Sequence, residues 1–324
     1  MRRRLPRWPL LLLTPLLLAG AVTLGPSGIG WPDRGDAAGH AILLLRWNRV
    51  LAGFLVGAGL AGSGVVLQAL LRNPLADPYV LGVSSGAGLG AALAIFFGWT
   101  AAGVLCLPAV SFAAGLATLA LVYALAAQRG APSLYGLLLS GVILSAMGSS
   151  LLMLLISLSP AEGMHSILWW MLGNLQSASG PLLAVAGGLL AAALLALTLF
   201  GRALNALTLG REMAHHLGVR TGVVIAACLV LATLLAATAV ALAGLIGFVG
   251  LIVPHAARAW AGPDHRRLPL VAALMGGIFL VACDAAARTL FAPQEIPIGV
   301  VTALLGGPFF LVLLRRRRQE GWVE

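Results

Sequence analysis

Arg46, Arg49 and Arg288 stand close to long apolar runs, and their chemistry is the first thing the sequence asks to have explained. Arg46 and Arg49 lie three apart in the stretch RWNR, so on a helix they share a face. A guanidinium presents its donors as a rigid fork that matches a carboxylate. Three of them gathered at one surface would form a basic collar, and a soluble partner with surface carboxylates would be steered to it and held in one orientation. The plainer alternatives are anchoring to lipid headgroups or, for Arg288, an ion pair with Asp284 one turn earlier.

Other reactive residue types do not assemble into a catalytic set. The six histidines are scattered, and neither GxSxG nor HExxH occurs. His215 and His216 are neighbours, but adjacent helical residues point about 100° apart and no cysteine or carboxylate cluster joins them as ligands. Cys106, Cys228 and Cys283 each sit alone in apolar sequence, which fits buried small hydrophobes better than a disulfide framework or a metal site. All 20 basic residues are arginine, and the chain contains no lysine. The phosphate-binding loop GxxxxGK[ST] needs its lysine, so any nucleotide hydrolysis that drives this chain belongs to another polypeptide. An enzyme is not expected.

These residues must be positioned by a membrane fold. The chain has 324 residues, 60% hydrophobic and 9% charged, whereas roughly a quarter of a soluble domain is charged. Apolar runs recur at the length a helix needs to cross a bilayer, and strand-like alternation does not. The expectation is an all-α transmembrane bundle forming a single domain over 1–324, with about ten spans. They fall near 9–26, 46–70, 80–98, 107–127, 134–157, 180–200, 222–242, 246–261, 268–288 and 297–314. The opening MRRRLPRWPLLLL reads as an uncleaved first span rather than a signal peptide. Ser166 to Leu175, with its two tryptophans, is too short to cross and reads as an interfacial helix. With this count 16 of the 20 arginines fall on the side of both termini, leaving Arg34, Arg46, Arg49 and Arg288 opposite. Positive charge marks the cytoplasmic side. Both termini are therefore expected in the cytoplasm, and that asymmetry explains the net charge of +10 better than nucleic acid does.

Two stretches interrupt the apolar pattern. RNPLADPYVLGVSSGAGLG, from Arg72 to Gly90, places Asn73, Pro74, Asp77 and Pro78 at the end of a span. Irregular backbone at membrane depth is tolerated only where protein buries it or water reaches it, so this break is expected beside a pathway. Gly201 to Gly222 mixes Leu204, Leu207, Met213 and Leu217 with Arg202, Asn205, Arg211, His215 and His216, and Gly210 divides it into two short amphipathic helices. Such helices lie on a bilayer or insert into a partner's groove. Gly53, Gly57 and Ala61, and then Gly82, Gly86 and Gly90, repeat at four-residue spacing, which permits close helix approach. GSGVVLQALLRNPLADP is echoed by GLIGFVGLIVPHAARAWAGPD, starting from the opposite side, the parity an inverted repeat has.

Taken with CDAAARTLFAPQEIPIGVVTALLGGPFFLVLL, the stretches RWNRVLAGFLVGAGLAGSGVVLQALLRNPLADPYVLGVSSGAGLGAA and GLIGFVGLIVPHAARAWAGPDHRRLPL resemble the FecCD-type permeases over about residues 40 to 318. These are the membrane subunits of ABC importers for iron-siderophores, haem and vitamin B12. The resemblance implies a bacterial inner-membrane permease, present as two copies or as a pair of related chains. It also implies two cytoplasmic ATPase subunits that carry the ATP-Mg, a periplasmic or lipid-anchored binding protein, and no cofactor in this chain. By position, Arg46, Arg49 and Arg288 match arginines that receive the binding protein's glutamates, although RWNR stands where the family has RLPR. Arg202, Arg211, Ala214, Leu217 and Gly218 fall in the coupling loop at 201–222. Asn73, Pro74 and Leu75 match the cytoplasmic constriction, and Ser133, Leu134 and Tyr135 occupy the place of a second one. The expected mechanism is alternating access. The alternative, an ion-coupled secondary transporter, would need a protonatable or ion-coordinating residue near the bilayer midplane.

Overall fold

The structure is a computed structural model that describes residues 8–25, 28–31, 36–128, 131–176 and 178–319. Arg2, Arg3, Arg4, Arg7, Arg34 and Arg129 lie outside them. The described elements are helices α1 (Trp8–Thr23), α2 (Ala37–Leu70), α3 (Val83–Phe96), α4 (Cys106–Ala126), α5 (Leu134–Leu158), α6 (Ala161–Met171), α7 (Gly180–Leu199), α8 (Gly201–Thr208), α9 (Arg211–His216), α10 (Thr221–Ala243), α11 (Val249–Ala261), α12 (Leu268–Thr289) and α13 (Ile298–Gln319). Two antiparallel pairs of two-residue strands join Leu24–Gly25 with Gly28–Ile29 and Ala127–Gln128 with Ala131–Pro132.

Six of these helices, α2, α4, α5, α7, α10 and α12, are long and apolar enough to cross a membrane. The expected spans at 80–98 and 246–261 are occupied by shorter helices, α3 and α11, and the shortening has local causes. The span expected at 80–98 opens instead on a 3-10 turn, Pro78–Leu81, and Gly82 takes φ +77° before α3 begins. That leaves α3 about 21 Å long at helical rise, short of the hydrocarbon thickness of about 30 Å. The segment at 246–261 breaks upstream of its proline. Gly244 and Phe248 both have positive φ, and Pro254 sits inside the continuous helix α11. A proline has no N–H for the carbonyl four residues earlier. That carbonyl, of Gly250, faces the side-chain amide of Gln68 instead, at 3.4 Å.

The core forms around α2, in which every residue from Val56 to Leu70 is buried. A helix buried on all sides needs neighbours that come very close, and glycine supplies the room. A Cβ on Gly57 would lie 2.1 Å from the Gly276 carbonyl oxygen, and one on Gly276 would lie 2.3 Å from that of Gly57. The backbones of α2 and α12 therefore touch at mid-length. Gly86 and Gly90 seat α3 against Thr118 and Ala114 of α4 in the same way. By contrast α5 turns Val142, Ile143, Met147, Leu151 and Leu154 outward, a face suited to lipid or to another apolar surface. Cys228 and Cys283 are buried, while Cys106 is only partly covered.

Candidate functional site

At one end of the bundle the three arginines do converge, though not as an open collar. α2 starts at Ala37, where the Asp36 carboxylate caps the helix by accepting from the Ala38 N–H. Arg46 and Arg49 thus stand inside a helix and not at its start. Arg49 donates Nε to Asp284 Oδ1 at 3.0 Å and Nη1 to Glu295 Oε2 at 2.8 Å. Arg288 lies 3.0 Å from Asp284 Oδ2, one helical turn away, and its side chain is 1% exposed. Its Nε–H is directed to the Asp284 backbone carbonyl at 3.3 Å, which leaves Oδ2 paired by charge rather than by a hydrogen bond. Nη1 of Arg288 donates to the Leu24 carbonyl at 2.7 Å. A carboxylate and a guanidinium this far from water persist because each compensates the other. The alternative of an Arg288–Asp284 pair is therefore what forms, in place of a free Arg288 at the surface.

Arg46 is held differently. Its Nη1 donates to the carbonyls of Gly30 at 3.0 Å, Thr23 at 3.3 Å and Val22 at 3.4 Å. Gly25 makes this possible, since a Cβ there would lie 2.3 Å from the guanidinium. Gln176, from the stretch after α6, donates to Glu295 Oε2 at 2.8 Å. The network joins α2, α12, the loop before α13 and the segment after α6. Glu295 was not singled out from sequence. The signal was there, in QEIP, a carboxylate between two apolar runs on the arginine side.

Within the bundle the two breaks meet. After α2, Arg72 takes φ +48°, Asn73 Oδ1 accepts from the Leu75 N–H at 2.9 Å, and Asp77 Oδ1 accepts from the Tyr79 N–H at 2.9 Å. The polar side chains of NPLADP thus satisfy the backbone that the break exposes, and Pro74 stands where no N–H is needed. The Tyr79 hydroxyl donates to the Ile246 carbonyl at 2.9 Å and accepts from the Ile246 N–H at 3.0 Å, which pins this break to the one before α11. Gly64 and Gly250 touch backbone to backbone, and Arg258 donates to Gln68 Oε1 at 3.2 Å. The two echoing stretches are packed against each other. Tyr79 was missed from sequence, because nothing local to a tyrosine reveals a partner so far along the chain.

The second suspected constriction begins with Ser133, which caps α5 by accepting from the Gly136 N–H at 2.9 Å. Leu134 is half-buried and Tyr135 is 76% exposed. Further along α5, Gly141 rests on the backbone of Val80 and Leu81, so α5 abuts the turn that follows Asn73. Leu75, 38% exposed, projects from the same break.

At the end opposite the arginine network, 201–222 forms α8 and α9, divided at Gly210 with φ +116°. Leu204, Leu207 and Ala214 are buried while Leu209, Met213 and Leu217 are exposed, as are Arg202 and Arg211. Gly218, at φ +82°, turns the chain toward α10. Asn205 is the anchor. Its Nδ2 donates to Asp264 Oδ1 at 2.8 Å, while its Oδ1 accepts from the His265 N–H at 2.9 Å and faces His265 Nδ1 at 2.8 Å. An amide oxygen only accepts, so Nδ1 carries the imidazole proton. Hydrogen bonding from Asn205 holds the Asp264 carboxyl below its ordinary range, and burial, helped by the nearby Arg258, pushes His265 down to about 4.

With this geometry in place, comparison with known proteins identifies its kind. The sequence matches the FecCD transport family over residues 9–316. It is 38% identical to the hemin transport system permease protein HmuU of Yersinia pestis, across 96% of this chain and 95% of that one. It is 42% identical to the cobalamin import system permease protein BtuC of Halobacterium salinarum, across 84% of this chain and 73% of that one. A solved structure described as an inward-facing conformation of a metal-chelate type ABC transporter superimposes with a TM-score of 0.86 at 35% identity, covering 95% of this chain and 98% of its own.

Proposed function

This chain belongs to the FecCD transport family and is a multi-pass permease subunit of an ABC importer, and from that premise we propose that it carries a metal chelate into the cytoplasm. The cargo class is a ferric siderophore, haem or a cobalamin. The observation that supports it most directly is the likeness to a metal-chelate transporter along 95% of the chain. In this reading the chain makes ten membrane passages with both termini cytoplasmic, six of them by the long apolar helices and the rest by α1, α3, α11 and α13. Two permeases, paired through apolar faces such as that of α5, work with two cytoplasmic ATPase subunits that bind the ATP-Mg and with an external binding protein.

The binding protein's carboxylates address Arg46 and Arg49, which are only partly buried. Arg288 acts beneath them, holding Asp284 where it orients Arg49. An arriving carboxylate competes with Glu295 for Arg49, so docking rearranges the network rather than adding to it. On the cytoplasmic side Arg202, Arg211, Leu217 and Gly218 form the coupling surface, with Met213 and Leu217 offering apolar contact and the buried Ala214 seating α9 beneath it. Asn73, Pro74, Leu75, Ser133, Leu134 and Tyr135 border the inner end of the pathway. A passage of this kind should be weakly sticky, because a tight site hinders release.

The test is uptake into proteoliposomes holding this chain with its ATPase and binding protein, supplied in turn with ferric siderophore, haem and cobalamin, with and without internal ATP. ATP-dependent accumulation of one cargo is expected. Uptake that ignores ATP and follows an ion gradient would establish the secondary transporter instead.

A further inference from the structure

The arginine network and the coupling segment sit at opposite ends of the same two helices. α12 spans about 33 Å at helical rise. It begins beside Asp264 and His265 and carries Asp284 and Arg288 near its far end. α2 runs alongside it with Arg46 and Arg49 at that same far end, and at its other end Arg72 approaches Gly210, between α8 and α9. Backbone contact at Gly57–Gly276, with the Phe54 ring lying over Gly277, packs the two helices tightly at mid-length. Packed interiors resist continuous deformation, which makes the α2–α12 pair a strut between the two ends.

Leu204 and Leu207 pack α8 into the apolar cluster that holds Val66, Leu67 and Leu70 of α2, whereas what fastens the coupling segment to the head of α12 is small and polar. Asn205 makes three contacts of 2.8 to 2.9 Å to Asp264 and His265. Beside them α8 lies directly on the chain at Arg266, since a Cβ on Gly201 would fall 2.6 Å from the Arg266 Cα. His265 is 3% exposed and its Nε2 finds no partner among the described residues. A histidine so enclosed belongs to the packing rather than to solvent.

We propose that Asn205 is a positioning residue that clasps α8 to the head of α12, so that displacement of the coupling segment moves the α2–α12 strut and reshapes the Arg49–Asp284–Glu295 network at its far end. The proposal rests on the reading that 201–222 receives the ATPase. It adds that the Asn205 amide is a route by which force enters α12, and that binding-protein docking is sensed along the same route in reverse, as linkage between two sites requires.

The experiment compares three variants of the complete permease–ATPase complex in nanodiscs. Asn205→Asp sets a second carboxylate against Asp264, and like charges at hydrogen-bond distance separate. The swap Asn205→Asp with Asp264→Asn restores a donor facing an acceptor and leaves His265 its partner. Leu217→Glu tests the underlying reading alone. For Asn205→Asp, the ATPase should still co-purify, while stimulation of hydrolysis by loaded binding protein falls roughly tenfold, within the range for residues sharing one hydrogen-bond network. The swap should recover stimulation to within about twofold on the same scale. Should Asn205→Asp not yield folded permease, Asp264→Ala, which keeps Asn205 bonded to His265, is measured in its place.

Full stimulation in the single variant overturns the clasp, and so does loss that the swap does not repair. If Leu217→Glu holds the ATPase as firmly as the unaltered chain, the coupling-surface reading falls and the proposal with it. If Leu217→Glu sheds the ATPase while Asn205→Asp remains fully stimulated, only the clasp falls.

Discussion

Replacing Arg288 by alanine is the sharpest test of the arginine network, because it separates a buried structural pair from a surface contact. Asp284 has a side chain 2% exposed and faces two guanidiniums, Arg49 at 3.0 Å and Arg288 at 3.0 Å. Removing one partner of a buried pair costs about 3–5 kcal/mol, since a charge is left without compensation. Arg49 remains against Asp284, which argues for the low end. The carbonyls of Leu24 and Ala21 also lose their donor. A loss of about 3 kcal/mol follows, roughly a hundredfold in the folded-to-unfolded ratio. Reversible unfolding in mixed micelles would read it, as a lowered detergent mole fraction at the midpoint. A double-mutant cycle with Asp284→Ala should return a coupling of about 1–3 kcal/mol, because once both partners are gone no orphaned charge remains between them. Strictly additive losses, or an Arg288→Ala permease that unfolds where the parent does, would show that the pair does not hold the network and that Arg288 is available to a docking partner.

Two further outcomes follow from the packing and the titration of the clasp. Gly57→Ala drives a methyl to 2.1 Å from the Gly276 carbonyl, so α2 and α12 must separate; overpacking of about 1–3 kcal/mol should lower the thermal midpoint of the permease, whereas Gly188→Ala, whose Cβ meets nothing within 4 Å, should leave it in place. His265 is buried with its pKa pushed down to about 4, facing Arg258 and Asp264, while an exposed histidine titrates near 6.5. Above that value the closed clasp has its full stability. As pH falls from about 6.5 toward about 4, the opened form takes up the proton first, and the closed form loses up to about 1.4 kcal/mol per pH unit. The thermal midpoint of the unaltered chain should therefore fall more steeply across that window than the midpoint of His265→Gln, and parallel curves would remove His265 from the balance.

The helical membrane fold was legible because its rule is global. A crossing helix needs about 20 apolar residues and few charges, and a pattern that long survives errors at its ends. The short helices show what the rule cannot see. At 246–261 local propensity alone would set the break at Pro254, since in isolation a proline disrupts the bonds behind it. Gln68 lies against the carbonyl that Pro254 leaves unbonded, so the helix continues, and the break falls at Gly244 to Phe248, where Tyr79 satisfies the Ile246 backbone. Both compensations come from far away in the chain, and local propensity carries no trace of them.

The arginines teach the same lesson from the charge side. Their convergence at one end was readable from topology, because loops on one face of a bundle share a side. Their state was not, because whether a guanidinium is free depends on which carboxylate the fold brings to it. Asp284 lay within reach as a one-turn neighbour, but the link from Arg49 to Glu295 joins residues 246 apart. In the proposed reading the network is both the feature that marks the docking face and the device that keeps it occupied until a partner competes for Arg49. A binding protein that offers carboxylates there meets an ion network already closed on itself. What docking can change is how that network's charges are shared, and on our proposal α2 and α12, in backbone contact at Gly57 and Gly276, carry that redistribution to the other end of the bundle.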